Sequence, residues 1–233
     1  YECAKKMKKG ACPDRRCLFP EPCPALKPDH GPHLELLNTL DALPGIKKVF
    51  VNSGIRYDLI LNDSKKGSAY LKKLVWSHVS GQMKVAPEHT GAHVLSLMGK
   101  PGVDDLLSCK KRFDAISRAA GKKQFLTYYL IAAHPGCTAK DMSRLKEFTR
   151  KKLNITPEQV QIFTPTPSTF STLMYYTQKN PFTGTPVFVE KDLRAKEKQK
   201  RIVTQKAHGF RRSKSRPDKA VSAKRRNPRR RSK

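Results

Sequence analysis

The chain has no apolar run long enough to cross a bilayer, for which roughly 18 uninterrupted apolar residues would be needed, and its amino end carries no signal-peptide pattern. A soluble protein of the cytoplasm, with no membrane partner, is the expectation. Close cysteine pairs are missing too: Cys3, Cys12, Cys17 and Cys23 follow the spacing C-x8-C-x4-C-x5-C, which matches no zinc signature built from two tight pairs. With no secretion signal, disulfides are the less favoured use of these thiols. Acidic side chains are few, 19 against 48 Lys and Arg, and the net charge of +29 needs a partner or a compartment to explain it. The first residue is Tyr1, not Met, and a cysteine-rich stretch opens the chain directly, so polypeptide upstream is expected.

Much of the positive charge sits at the far end. From Phe210 onward Asp218 is the only acid among Arg211, Arg212, Lys214, Arg216, Lys224, Arg225, Arg226 and Arg229–Arg231. So little apolar surface follows Val203 that this segment cannot fold alone, and disorder is expected. Lys and Arg that neutralise phosphates release counterions, so nonspecific RNA contact suits such a tail. It lacks interleaved aromatics for base stacking, and a solvated tail is the plain alternative.

Three segments divide the chain. Residues 1–32 are rich in Cys, Pro and Lys and form a loop segment without a core of its own. Residues 33–187 alternate helices and strands. Residues 188–233 form a basic segment, helical at first and then disordered. In the middle segment, Leu34, Leu37 and Leu40 lie at helical spacing before Pro44-Gly45, and Ile46–Val51 reads as a buried strand. The unit recurs with the helical face Tyr70, Leu71, Leu74, Val75, His78 and Val79 before the strand Met83–Ala86. It recurs again with Leu106, Cys109, Phe113, Ile116 and Ala120 before Phe125–Ala133. A fourth unit opens on the capping box Thr138-x-x-Asp141 and ends in Val160–Phe163. Such alternation predicts an α/β fold with a parallel sheet, open or closed into a barrel.

Parallel α/β folds place their sites at the carboxyl ends of the strands. Those ends read Asn52 to Asp58, Pro87-Glu88-His89-Thr90, His134-Pro135-Gly136-Cys137-Thr138 and Thr164-Pro165-Thr166-Pro167-Ser168, all polar or rich in Gly and Pro.

Five stretches, YECAKKMKKGACPDRRCLFPEPCP, VFVNSGIRYDLIL, HVSGQMKVAPEHTGAHVLSLMGKPG, FLTYYLIAAHPGCT and QIFTPTPSTFSTLMYYT, resemble the YgiQ-like family of radical S-adenosylmethionine (SAM) proteins, in family order over roughly residues 1–200. The resemblance implies an incomplete TIM-type (β/α) barrel of the radical SAM type. It also implies a [4Fe–4S] cluster, SAM as a partner, and reductive cleavage of SAM to a 5′-deoxyadenosyl radical acting on an unknown substrate. The C-x-x-x-C-x-x-C motif that holds the cluster in this superfamily is absent here. In the family it lies upstream of the cysteine-rich segment, so the intact parent is expected to be an enzyme and this chain alone to be inactive.

The resemblance also suggests SAM contacts. Ser53 and Arg56 would follow one strand, where a guanidinium suits the SAM carboxylate and a hydroxyl suits a ribose or carboxylate oxygen. Glu88 and His89 would meet the ribose or the substrate, and His134 with Gly136 would bring backbone close to adenine. Plainer readings stand beside these. Glu88-His89 is either an acid/base pair or a helix start capped by Thr90. His30 and His33 either replace a thiolate or sit in an ordinary turn. His78 reads as structural, Cys109 as core, and Cys137 more readily as a bystander than as a nucleophile. The four cysteines hold zinc or an auxiliary iron-sulfur cluster, or are plain structural residues; spacing does not choose. The competing reading of the whole is a metal-stabilised, nucleic-acid-binding module without catalytic activity, in which the barrel is only scaffold.

Overall fold

The computed structural model describes residues 3–10, 12 and 16–205, so the segment expected to be disordered lies outside the described residues from 206 onward. The short helix α1 (Ala4–Lys9) and α2 (Gly31–Ala42) precede β1 (Gly54–Ile55), α3 (Tyr57–Asn62) and α4 (Gly67–Lys73). Then come β2 (Gln82–Glu88), α5 (Ala92–Met98), α6 (Val103–Ala119), β3 (Phe125–Ala132) and α7 (Ala139–Phe148). The chain continues through β4 (Gln161–Ile162), α8 (Phe170–Thr177) and α9 (Leu193–Thr204). The four strands pair in parallel in the order β1-β2-β3-β4 and curl into a half-barrel, as an incomplete barrel requires. Among the described residues, no helix is long and apolar enough to cross a membrane.

Alternation along the two long strands sets the core. Met83 and Val85 of β2 and Leu126, Tyr128, Leu130 and Ala132 of β3 are buried on one face. They join a cluster with Leu106, Cys109 and Phe113, the apolar stripe of α6. Asp104 and Asp105 in the first turn of α6 and Arg118 in its last complement the helix dipole. Cys109 is core, as its stripe position predicts, and burial pushes its thiol up to about 12, which leaves it inert. The opposite face of the sheet stays open. Phe125 and Tyr129 are 60% and 46% exposed and line, with Gln82, Lys84 and Thr127, a groove of about 590 Å³.

One expected strand does not form. Ile46–Val51 runs without strand pairing, with Ile46 and Phe50 exposed. Its polar partners explain this. The Val51 amide donates to the His78 carbonyl, and the buried His78 ring bonds the Val49 carbonyl. The segment is thus tied to the π turn Leu74–His78 that ends α4, and pairing with β2 starts only at Gly54. His78 is structural, as read from its position. The turn from α6 into β3 is sealed by Gln124, whose Nε2 donates to the carbonyls of Val75 and Val79.

Asp63, at the end of α3, ties the amino-terminal segment to this body. Its Oδ2 accepts from the His30 amide and the His30 ring, each at 2.8 Å, and its Oδ1 accepts from the amides of Lys65 and Lys66. Burial opposes ionisation, yet these bonds outweigh it and hold the carboxyl well below the usual carboxylate range. A depressed carboxylate contributes stability above its unfolded pKa and loses it as pH falls toward the folded one. Asp63→Asn is expected to cost about 2 kcal/mol at pH 7. The native chain should lose part of its stability below about pH 4, and the variant should lose less. Urea melts at pH 7 and pH 3 check both, and equal acid sensitivity would refute the assignment.

Candidate functional site

Because the strands are parallel, their carboxyl ends share one rim. Arg56 directly follows β1. Glu88 ends β2 after a register shift that begins at Val85, and it takes a left-handed φ of 65°. Ala133, just past β3, has φ 57°, and Ser168, in the loop from β4 to α8, has φ 61°. A non-glycine residue held there costs of order 1 to 3 kcal/mol, and such strain gathers where backbone is shaped for a site. Ser53 falls elsewhere: with β1 limited to Gly54–Ile55, it precedes the strand and does not cap it.

Two ion pairs face outward from this rim. The Arg56 guanidinium grips Asp58 with both forks, Nε to Oδ1 at 2.9 Å and Nη2 to Oδ2 at 2.5 Å. That hydrogen-bonded carboxylate raises the guanidinium pKa further, so Arg56 is a permanent cation. Its side chain is 48% exposed, whereas Asp58 is buried. Glu88 pairs with Lys100 at 2.7 Å, and the Lys100 ammonium also donates to the Ala86 carbonyl. Arg56 and Glu88 are thus positioned to meet a polar ligand, each already oriented by a partner.

His89, His134 and Gly136 face inward. The Gly91 amide donates to His89 Nδ1, and His89 Nε2 lies 3.6 Å from Cys137 Sγ. His134 Nδ1 bonds the Pro135 carbonyl at 2.8 Å, and its Nε2 bonds the Ser171 hydroxyl at 2.8 Å. Both rings are buried. The Gly136 amide donates to the Phe188 carbonyl at 2.7 Å. At φ 86°, and with Leu97 pressed where a Cβ would stand, only glycine fits position 136. These three residues lock strand caps under α5, α8 and the segment around Phe188. The helix after Glu88-His89 opens at Ala92 with Gly91 as its N-cap, not with Thr90.

The capping box of Thr138 and Asp141 forms as its spacing predicts and brings Asp141 within 3.4 Å of the His93 ring. Sequence reasoning missed His93, Lys100 and Gln199. The last is buried against Cys137, in a helix capped by Asp192 whose buried positions Lys196, Gln199 and Val203 lie at helical spacing. Helix α9 packs on α7, so the described part of the basic segment belongs to the body.

The cysteine-rich segment docks on this end through Arg16, which donates to the carbonyls of Ser96 and Leu97 and stacks on the rings of Phe19 and Phe182. Among the described residues, no group of three or more His, Cys, Asp or Glu comes together as a metal would need.

Burial lowers the pKa of both His89 and His134 to about 4. A histidine lowered in this way binds its proton more readily when unfolded, so its contribution is full above about pH 6.5 and erodes as pH falls toward its folded value. Stability measured by urea melts is expected to decline from pH 7 to pH 4.5, above the range where Asp63 acts. A flat profile over that interval would contradict the burial of both rings.

Residues 158–208 match a domain of unknown function, DUF3362. A UPF0313 protein of Fusobacterium nucleatum is 60% identical over 205 residues, which are 88% of this chain and 36% of that protein. UPF0313 proteins of Methanosarcina mazei and Thermotoga neapolitana are 45% and 41% identical, covering 87% and 89% of this chain and 32% and 36% of theirs. No solved structure matches. The chain spans about a third of the length of these relatives. UPF0313 proteins belong to the YgiQ-like family that the strand-end segments resemble. Over the residues it covers, the chain belongs to the UPF0313 family.

Proposed function

We propose that this chain is the carboxyl-terminal portion of a radical SAM iron-sulfur enzyme and contributes SAM and substrate binding to 5′-deoxyadenosyl radical chemistry on an unknown substrate. One observation carries the reading: the polar caps of successive parallel strands meet on one rim of a half-barrel, with left-handed non-glycine backbone at Glu88 and Ala133. In this reading Arg56 binds the SAM carboxylate with the N–H donors not spent on Asp58, and Glu88 meets a ribose or substrate hydroxyl. His89, His134 and Gly136 act behind them, shaping the caps. Bound SAM and its cluster would supply the radical, and the cluster ligands belong to polypeptide outside this sequence.

The longer protein, produced anaerobically and reconstituted with iron and sulfide, should release 5′-deoxyadenosine when given reductant and SAM. Arg56→Lys should weaken SAM binding by about tenfold, because an ammonium cannot make the paired contact. A fully loaded cluster with no product rejects the enzymatic reading.

The net charge of +29 favours RNA as a further partner of the basic segment. Val203 is wholly buried, so a clean truncation falls after Gln205. RNA affinity should fall steeply between 50 and 200 mM salt, the range over which several phosphate contacts cost about a thousandfold, and the truncation should abolish it. Binding that ignores salt or survives the truncation ends this reading.

A further inference from the structure

Gln199 reaches from α9 into the carboxyl ends of β2 and β3. It is 2% exposed, and a buried primary amide must find partners for both its polar atoms. Its Oε1 accepts from the Ala133 amide at 3.1 Å, and its Nε2 donates to the Cys137 carbonyl at 3.4 Å. One side chain therefore holds both ends of the loop that carries His134 and Gly136. The orientation of the amide follows from its partners. With nitrogen and oxygen exchanged, an NH2 group would face the Ala133 N–H, donor against donor.

The same logic extends one residue further. The Gly91 amide donates to His89 Nδ1, so that nitrogen bears the lone pair and the proton of the neutral ring sits on Nε2. Nε2–H points at Cys137 Sγ, 3.6 Å away. The thiol hydrogen is then left for an acceptor, the Gln199 Oε1 at 3.6 Å from the sulfur or the Thr138 carbonyl at 3.7 Å, of which the side-chain oxygen is the nearer. Each bond in the series has one permitted direction: Gly91 to His89, His89 to Cys137, Cys137 to Gln199. Burial keeps its members in the required states, with the Cys137 thiol raised to about 12 and the His89 ring neutral at pH 7.

We propose that Gln199 is a positioning residue: anchored on α9, it orients the Cys137 thiol and through it holds the His89 ring in its Nε2–H form between the ends of β2 and β3. Neighbouring Lys196 anchors the same helix to α8 by donating to the Tyr175 hydroxyl at 3.0 Å. The role does not depend on which ligand the strand ends take.

The 233-residue chain, labelled with 15N-histidine, tests the native arrangement. At pH 7 its long-range proton-nitrogen spectrum should show His89 with a bare Nδ1 and a protonated Nε2, and the reverse tautomer would overturn the proposal. Gln199→Met keeps the shape of the side chain and removes its polar ends. In that variant, amide exchange at Ala133 and alkylation of Cys137 by iodoacetamide, mapped by mass spectrometry, should each speed up by about tenfold, the scale of losing one or two neutral hydrogen bonds. The His89 Nε2 resonance should shift as well. Val203→Ala, a packing change on the same helix, should lower the melting temperature without favouring Cys137. Native rates in Gln199→Met, an unmoved His89 resonance, or equal acceleration in both variants would reduce Gln199 to a packing role and overturn the proposal.

Discussion

Parallel pairing of β2 with β3 is the constraint from which the remainder follows. Parallel strands cannot be joined by a tight hairpin, so each needs a helical return across one face of the sheet. Between Glu88 and Phe125 that return is made by α5 and α6, and the stripe Leu106, Cys109 and Phe113 is the surface that makes it hold. With β2 and β3 in register from Gln82 and Phe125, both strands end on the same rim. Of the residues considered for SAM, all except Ser53 lie there, whereas Cys3, Cys12, Cys17 and Cys23 belong to the segment that precedes the sheet.

The rim solves two problems with different residues. Backbone groups at the end of a strand lose their ladder partners, and if buried they must find others. Here a side chain from a distant helix serves Ala133, the Phe188 carbonyl serves Gly136, and the Pro135 carbonyl is met by the His134 ring. Satisfied in this way, the interior carries neutral histidines and an unreactive thiol. Charge is kept to the outer edge, where Arg56 and Glu88 remain partly in water and each is steadied by a counter-ion. A site built like this changes its outer contacts without disturbing the backbone beneath.

The sequence disclosed most of this frame where periodicity was sustained. The stripe of α6, the alternating strand β3 and the capping box at Thr138 were all legible, because each depends on residues near one another in the chain. Ile46–Val51 was misread because apolar composition tells neither how deeply a segment is buried nor what its backbone pairs with. The π turn at Leu74–His78, which captures Val49 and Val51, has no sequence signal of its own. The inward roles of His89, His134 and Gly136 were illegible for a related reason: Ser171, Phe188 and Gln199 lie far away in sequence. A glutamine amid the lysines of α9 reads as surface until its neighbours are known.

The outermost strands, β1 and β4, contain two residues each. A short border offers few unmatched amides and carbonyls as a template for a passing chain, a common safeguard against fibrous stacking. The sheet's vulnerability lies instead in the wide trough between those borders, where the rings of Phe125 and Tyr129 meet solvent that wets them poorly. For this chain taken by itself, about a third of the length of its relatives, adhesion between copies would therefore be a matter of sticky surfaces, governed by temperature and detergent more than by the hydrogen-bonding groups of the main chain.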